Sequence, residues 1–190
     1  MRKKTAKAPA NIAFIKYWGR KEEKLRLPVN DSLSMNLSNV LTITTVEFSS
    51  FLKEDRIEME GGKLGEEGKQ RIIAHLDRIR LQVGIKASAK VKTKNNFPQG
   101  VGVASSASGF AALTLAATAA AGLRLSSQEL SVLARQGSGS ACRSIPDGFV
   151  EWKAGNSSPS SYAYSLFPPR HWEIRDIIAI IGEAPKKVSS

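Results

Sequence analysis

Asn95-Asn96-Phe97-Pro98-Gln99-Gly100-Val101-Gly102-Val103-Ala104-Ser105-Ser106-Ala107 joins a glycine-rich turn, a pair of hydroxyls and the start of an alanine-rich apolar run. Such a stretch reads either as a phosphate-binding loop or as plain loop chemistry. In the first reading the glycines let the backbone approach an anion, and the free N–H groups at the positive end of the following helix point at it. Ser105 and Ser106 then stand at the helix start, where a hydroxyl caps the helix, bonds a phosphate oxygen or ligates Mg2+. No Gly-Lys-Ser/Thr closes the loop, so it is not a Walker A sequence.

Outward from this loop, strands and helices alternate. Leu33, Met35 and Leu37 alternate with polar residues, Ile43 and Val46 do so less cleanly, and Ala87, Ala89, Val91 and Thr93 do so again. They predict half-buried strands of an antiparallel or mixed sheet. Ile72, Ile73, Leu76, Ile79 and Val83 keep helical spacing, with Gly84 placed to end the helix. A second helix is expected from about Ser105 to Ala121. A third is announced by the capping-box pattern Ser126-x-x-Glu129 and stops near Gly137. Gly148 to Trp152 and Tyr162 to Phe167 read as strands around the polar turn 156–161. Pro168-Pro169 breaks the pattern, and Asp176 to Ile181 reads as the first strand of a second domain.

At 190 residues and 42% apolar content, the chain can bury a real core. The longest apolar run, Phe110 to Leu123, falls short of the ~18 residues of a membrane span and reads as a buried helix, so no membrane partner is expected. The start lacks the apolar stretch of a secretory signal, which points to the cytoplasm. Cys142 is the single cysteine, so no internal disulfide forms, and with only His75 and His171 there is no zinc set. Of the net charge of +11, +7 lies in residues 1–26, which hold nine Lys/Arg and two Glu. Such a field attracts a nucleic acid or small polyanions alike. Arg2, Lys3 and Lys4 read as a solvated end.

Two further segments accompany the loop. The first is Ala8-Pro9-Ala10-Asn11-Ile12-Ala13-Phe14-Ile15-Lys16-Tyr17-Trp18-Gly19-Arg20, continued by Leu27-Pro28-Val29-Asn30-Asp31-Ser32-Leu33-Ser34. The second is Gly137-Ser138-Gly139-Ser140-Ala141-Cys142-Arg143-Ser144, running on through Gly148 to Trp152. The loop resembles that of the GHMP small-molecule kinases. The three segments together, in this order, resemble the mevalonate diphosphate decarboxylases of that superfamily, over about Ala6 to Ser190.

The resemblance implies an α+β fold, the GHMP kinase N-terminal domain related to ribosomal protein S5 domain 2, over 1–171. The first strand of a truncated C-terminal domain would occupy 172–190. It implies ATP and Mg2+ as cofactors, a phosphorylated small-molecule substrate, no nucleic acid, and a homodimer for the full-length protein. It implies ATP-dependent decarboxylation of mevalonate 5-diphosphate to isopentenyl diphosphate. Phosphorylating the tertiary 3-hydroxyl turns it into a leaving group; phosphate then departs and CO2 is lost.

By the same resemblance Lys16 neutralises charge at the reacting centre, Tyr17 donates its hydroxyl to substrate phosphate, and Arg20 stands where many relatives have lysine. Ser138, Ser140 and Arg143 hold the substrate, with an ion pair as the alternative role for Arg143. Gly100, Gly102, Ala104, Ser105 and Ser106 take the ATP phosphates, with Ser105 or Ser106 on Mg2+. Cys142 has no histidine neighbour in sequence and reads as packing. Asp31 and Asp147 do not match the family's catalytic aspartate, which is expected beyond residue 190, so the 190-residue chain alone is expected to be inactive.

Arg26 replaces a small polar or apolar residue, and Ile145-Pro146-Asp147 departs from the usual aromatic-plus-glycine sequence. Both leave open the monophosphate as substrate. A GHMP kinase that only phosphorylates, such as a mevalonate kinase, and a basic RNA-binding module are the other readings.

Overall fold

In a computed structural model, described over residues 2–62, 64–97 and 105–177, the chain runs β1 (Lys3–Ile15), β2 (Arg20–Glu22), β3 (Leu27–Pro28), β4 (Ser32–Ser49), β5 (Arg56–Glu60), α1 (Glu66–Val83) and β6 (Ser88–Asn95). It continues through α2 (Ser105–Ala121), α3 (Ser127–Gly137), a 3-10 helix (Gly139–Ser144), β7 (Phe149–Trp152), β8 (Ala163–Phe167) and a short 3-10 turn (Pro169–His171). The α+β class expected from the sequence is what forms.

One strand organises the sheet. Along one edge β4 pairs antiparallel with β6 over Thr42–Ser49 and with β7 over Ser32–Met35; along the other it pairs with β1. The β1 register jumps between Pro9 and Asn11, where β4 carries extra residues. Proline has no N–H to give to the ladder, so the pairing breaks there and β4 bends from one partner strand to the next. β5 joins β6 in parallel and β8 closes the far side on β7, giving the mixed order β5-β6-β4-β7-β8. β2 and β3 form a separate small hairpin.

Lys3 and Lys4 lie in β1, paired with Glu47 and Val46. The basic end is thus a strand with exposed lysine side chains rather than a free tail. β5 went unpredicted because Ile57 and Met59 are flanked by Arg56, Glu58 and Glu60, and a short parallel edge strand needs only a thin apolar face. Asp176 and Ile177 are not in a strand, and 178–181 lie outside the described residues, as do the rest of the chain to 190 and the loop residues Gly100, Gly102 and Ala104.

The core lies between this sheet and the helices. α2 is apolar nearly all round, as a helix enclosed by protein must be, and its small Ala107, Ala111, Ala112, Ala116, Ala117 and Ala120 allow close packing on Ala8, Val46, Ala89 and Val91. Its buried hydroxyls are satisfied: Thr114 donates to the Phe110 carbonyl (2.6 Å), Thr118 to that of Thr114 (2.7 Å), and Ser108 bonds Thr42 (2.7 Å). No helix among the described residues is long and apolar enough to cross a membrane. α1 ends at Gly84, whose φ of 66° suits glycine and whose N–H reaches the Arg80 carbonyl. The capping box opening α3 is present: Ser126 Oγ accepts from Glu129 N–H (3.3 Å) and Glu129 Oε2 from Ser126 N–H (2.7 Å).

His75 of α1 is fully buried against Phe110. Since Thr114 already donates to Phe110, its oxygen accepts from His75 Nε2–H (2.8 Å), leaving Nδ1 bare and without a partner. Burial holds the imidazole pKa down to about 3. The unfolded chain therefore takes up this proton first: stability is full above the ordinary pKa near 6.5 and is lost as pH falls toward 3, at about 1.4 kcal/mol per pH unit. In urea denaturation at pH 7 and pH 4.5, the wild type is expected to lose about 3 kcal/mol more than His75→Gln across that interval. Equal losses would show that this imidazole is not kept neutral.

Candidate functional site

The Ser-Gly-Ser-Ala-Cys-Arg segment does not form an open loop. After α3 the backbone turns extended at Ser138 (φ −151°, ψ 127°) and winds at once into the 3-10 helix Gly139–Ser144. A 3-10 turn spaces side chains three apart on one side, so Cys142 turns inward while Ser140 stays half-exposed. Cys142 Sγ donates to the Gly139 carbonyl (3.0 Å), and burial pushes its pKa up to about 12. Such a thiol packs rather than attacks.

Arg143 is only 4% exposed. It donates from Nη1 to Ser32 Oγ (2.7 Å) and from Nη2 to Asn11 Oδ1 (3.2 Å), and lies over the Trp152 ring at 5.8 Å. Asn11 in turn donates to Ser144 Oγ (2.8 Å) and to the Ser140 carbonyl (3.1 Å), tying β1 to the 3-10 helix. Among the described residues no carboxylate pairs with Arg143, and its Nε has no acceptor. The ion-pair alternative therefore finds no partner here. Burial holds its pKa below the usual guanidinium range. A buried guanidinium with only neutral partners is costly, and an anion would repay it.

Tyr17 meets Trp152 edge to face, centroids 4.8 Å apart. Its hydroxyl lies over Gly139, where an added Cβ would come within 2.9 Å of the oxygen, so a side chain at 139 would displace Tyr17. Lys16 follows β1 and is exposed; its carbonyl accepts from Asn30 Nδ2 (3.2 Å), and Asn30 Oδ1 accepts from Trp18 N–H (3.0 Å). Asn30 thereby fixes the turn that carries Lys16 and Tyr17. Arg20, on β2, is paired with exposed Glu23 (2.7 Å), which raises its pKa.

Ser105 and Ser106 begin α2, and Ser138 Oγ donates to Ser106 Oγ at 3.4 Å. The glycine-loop helix and the Ser-Gly-Ser segment therefore meet, although 32 residues separate them in the chain. Beside them opens a cavity of about 160 Å³ lined by Thr42, Thr44, Thr93, Ser105, Ser106 and Arg71, among others. A larger hollow of about 660 Å³ lies at the far end of α1, where Arg80 is already answered by Asp55 and by Asp77 (2.6 Å).

The structure adds residues that the sequence reading did not rank. Asn11 and Ser32 stood inside the quoted segments, but only strand pairing shows that they hold Arg143. Arg71 of α1 donates from Nη2 to the Gly137 carbonyl (3.3 Å) and lies over Phe110 at 5.0 Å, with its Nε unpartnered. No sequence signal marks it, since a basic residue on an amphipathic helix usually faces water. Nearby carboxylates are engaged: Asp31 accepts from Ala154 N–H (2.6 Å), Asp147 from Gly148 N–H (2.9 Å), Glu22 from the N–H groups of Lys24 and Leu25, and Glu151 from Tyr164.

Residues 8–163 match the family model described as the diphosphomevalonate decarboxylase-like N-terminal domain. The human diphosphomevalonate decarboxylase is 37% identical over 203 residues, covering 97% of this chain and 50% of the relative. That of Ganoderma lucidum is 38% identical over 203 residues, covering 98% and 51%. The solved mevalonate diphosphate decarboxylase from Enterococcus faecalis superimposes with a TM-score of 0.83 at 44% identity, covering 90% of this chain and 53% of that one. A structure described as MDDEF in complex with MVAPP, AMPPCP and magnesium gives 0.80 at 45% identity, covering 85% and 49%. The chain spans about half the length of the curated relatives it matches.

Proposed function

The chain belongs to the diphosphomevalonate decarboxylase-like family, and we propose that it forms the ATP- and substrate-binding part of an enzyme that converts mevalonate 5-diphosphate and ATP to isopentenyl diphosphate, ADP, phosphate and CO2. The observation that carries this reading is the 3.4 Å contact between Ser106 and Ser138, which brings a helix N-terminus suited to one phosphate chain against a buried-arginine site suited to another anion. Phosphoryl transfer needs its two reactants held in line and their charge answered, more than it needs covalent chemistry.

Residue roles follow from that juxtaposition. The nucleotide phosphates sit at the start of α2, on Ser105, Ser106 and the loop residues Gly100, Gly102 and Ala104, with the 160 Å³ cavity alongside. Ser105 and Ser106 are hard oxygen donors and fit Mg2+, which neutralises phosphate charge when bound. Ser138, Ser140 and Arg143 hold the acceptor, Arg143 through the donors that Ser32 and Asn11 leave free, and Arg71 adds a second guanidinium. Tyr17 gives its hydroxyl to an acceptor phosphate, while Lys16 and Arg20 balance carboxylate or phosphate charge at the mouth. By the family resemblance, the carboxylate that activates the 3-hydroxyl is assigned to the part of the relatives that these residues do not cover. The enzyme is taken as a cytoplasmic homodimer. Arg26 and Arg71 on adjacent carbonyls just before Ser138, together with the buried Arg143, argue for a small polyanion over RNA, whose backbone an arginine 4% exposed does not reach.

The test uses the full-length protein with ATP, Mg2+ and either mevalonate 5-diphosphate or its 5-monophosphate, counting ADP and CO2. Equal ADP and CO2 with the diphosphate is the expected result. The same yield only with the monophosphate would change the substrate, and ADP without CO2 would make the protein a kinase.

A further inference from the structure

Arg26 is the only non-glycine residue with positive φ (52°) among those described. A bulky side chain there costs on the order of 1 kcal/mol or more, and asparagine or glycine would sit more easily. The strain is locked in from several sides. Arg26 N–H bonds the Glu23 carbonyl (3.2 Å), and the Glu22 carboxylate takes the N–H groups of the two preceding residues. Fully buried Arg135 donates from Nε to the Leu25 carbonyl (2.9 Å), while its other nitrogens hold Ser158 and Ser161. An interior arginine thus ties the turn that aims Arg26 to the 158–161 segment.

The aim is specific. Arg26 Nε donates to the Gln136 carbonyl (3.2 Å), and Arg71 Nη2 to the next one, that of Gly137 (3.3 Å). Two guanidiniums therefore hang side by side on the last turn of α3, at the negative end of its dipole and one residue before Ser138. Each spends a single N–H there out of five. Neither has a carboxylate partner among the described residues. Burial, then Arg20 and Arg71, hold the Arg26 pKa below the usual guanidinium range, with Tyr17 opposing them. Half-buried like charges brought together on adjacent carbonyls, beside the tyrosine over Gly139, suit the binding of an anion.

We propose that Arg26 is a specificity-determining contact: its guanidinium, beside that of Arg71, takes the terminal phosphate of the acceptor and makes the site prefer a diphosphate over a monophosphate ester. This rests on the function proposed above.

The test compares full-length wild type, Arg26→Asn and Arg26→Lys. Asparagine removes the charge yet tolerates the left-handed backbone, and lysine keeps the charge without the fork. KM for mevalonate 5-diphosphate is expected to rise about 10- to 100-fold in Arg26→Asn, the range of one charge-assisted hydrogen bond, with the loss in KM rather than kcat. The rise should be partly restored in Arg26→Lys, while the inhibition constant of mevalonate 5-phosphate moves less than about threefold. Equal weakening of both esters, or no change in either, would overturn the proposal. Binding of inorganic pyrophosphate, read by calorimetry on the same variants, needs no turnover. If wild type decarboxylates neither ester, the functional reading falls, whereas pyrophosphate binding unaffected by Arg26→Asn removes this inference alone. Should Arg26→Asn not fold, Arg26→Lys and Arg26→Gln carry the same comparison.

Discussion

Arg143→Ala in the full-length enzyme is expected to lower kcat/KM for the phosphorylated acceptor by about 100- to 1,000-fold. Truncating one partner of a buried, hydrogen-bonded charge pair costs about 2–5 kcal/mol, and each 1.4 kcal/mol is a factor of ten. Arg143 has the features that put it in this class: it is 4% exposed, carries no carboxylate partner, and is held in one orientation by Ser32 Oγ and Asn11 Oδ1. Arg143→Lys should recover little, because a single ammonium cannot face Ser32, Asn11 and an anion in one plane. Loss of the guanidinium also strips donors from two groups that are themselves buried, so thermal unfolding must be followed in parallel. A variant that unfolds with wild-type cooperativity and keeps activity within a few-fold would make Arg143 a strut between β1 and β4 and remove it from the acceptor site.

Trp152→Ala is expected to destabilise the protein by about 3–5 kcal/mol, the usual range for emptying a large aromatic site. For a domain of this size each 1 kcal/mol shifts the melting temperature by about 2–4 °C, so a drop on the order of 10 °C should appear in calorimetry. The indole is wholly buried, donates from Nε1 to Ser161 Oγ (3.0 Å), and packs with Cys142, Val150 and Ala163. It is also the floor of the site, since Tyr17 stands edge-on to it, Arg143 lies over it, and Gly139 faces its ring. Trp152→Phe keeps part of the ring and loses the hydrogen bond, so it should fall between wild type and alanine. A loss under about 1 kcal/mol in Trp152→Ala would mean that the cavity collapses freely and that the ring is not what holds Tyr17 in place.

Much of this was legible before any coordinates. The helix after the glycine loop, the capping box at Ser126 and the terminating Gly84 depend on interactions within a few residues, so local rules found them. β1 was quoted as a motif yet not read as a strand, since Pro9 and the register shift beside it erase the alternation. The Ser-Gly-Ser-Ala-Cys-Arg motif carries no secondary-structure signal of its own and proves to be a 3-10 helix, because six residues leave too short a window for any period to show.

The amino-acid sequence by itself determined the three α-helices, the strands β4, β6, β7 and β8, the family and the residue types for a phosphate loop and a Ser-Gly-Ser-Ala-Cys-Arg site, since these rest on spacing within single stretches of chain. Which residues serve one another was decided only by the tertiary structure. Asn11 and Ser32 orient an arginine more than 110 positions away because β1 and β4 pair at that point. Arg26 and Arg71 come together because a turn and a distant helix each bring a guanidinium to adjacent carbonyls at the end of α3. Such convergence costs chain entropy that only packing of the whole sheet against α2 repays, and no local pattern encodes it.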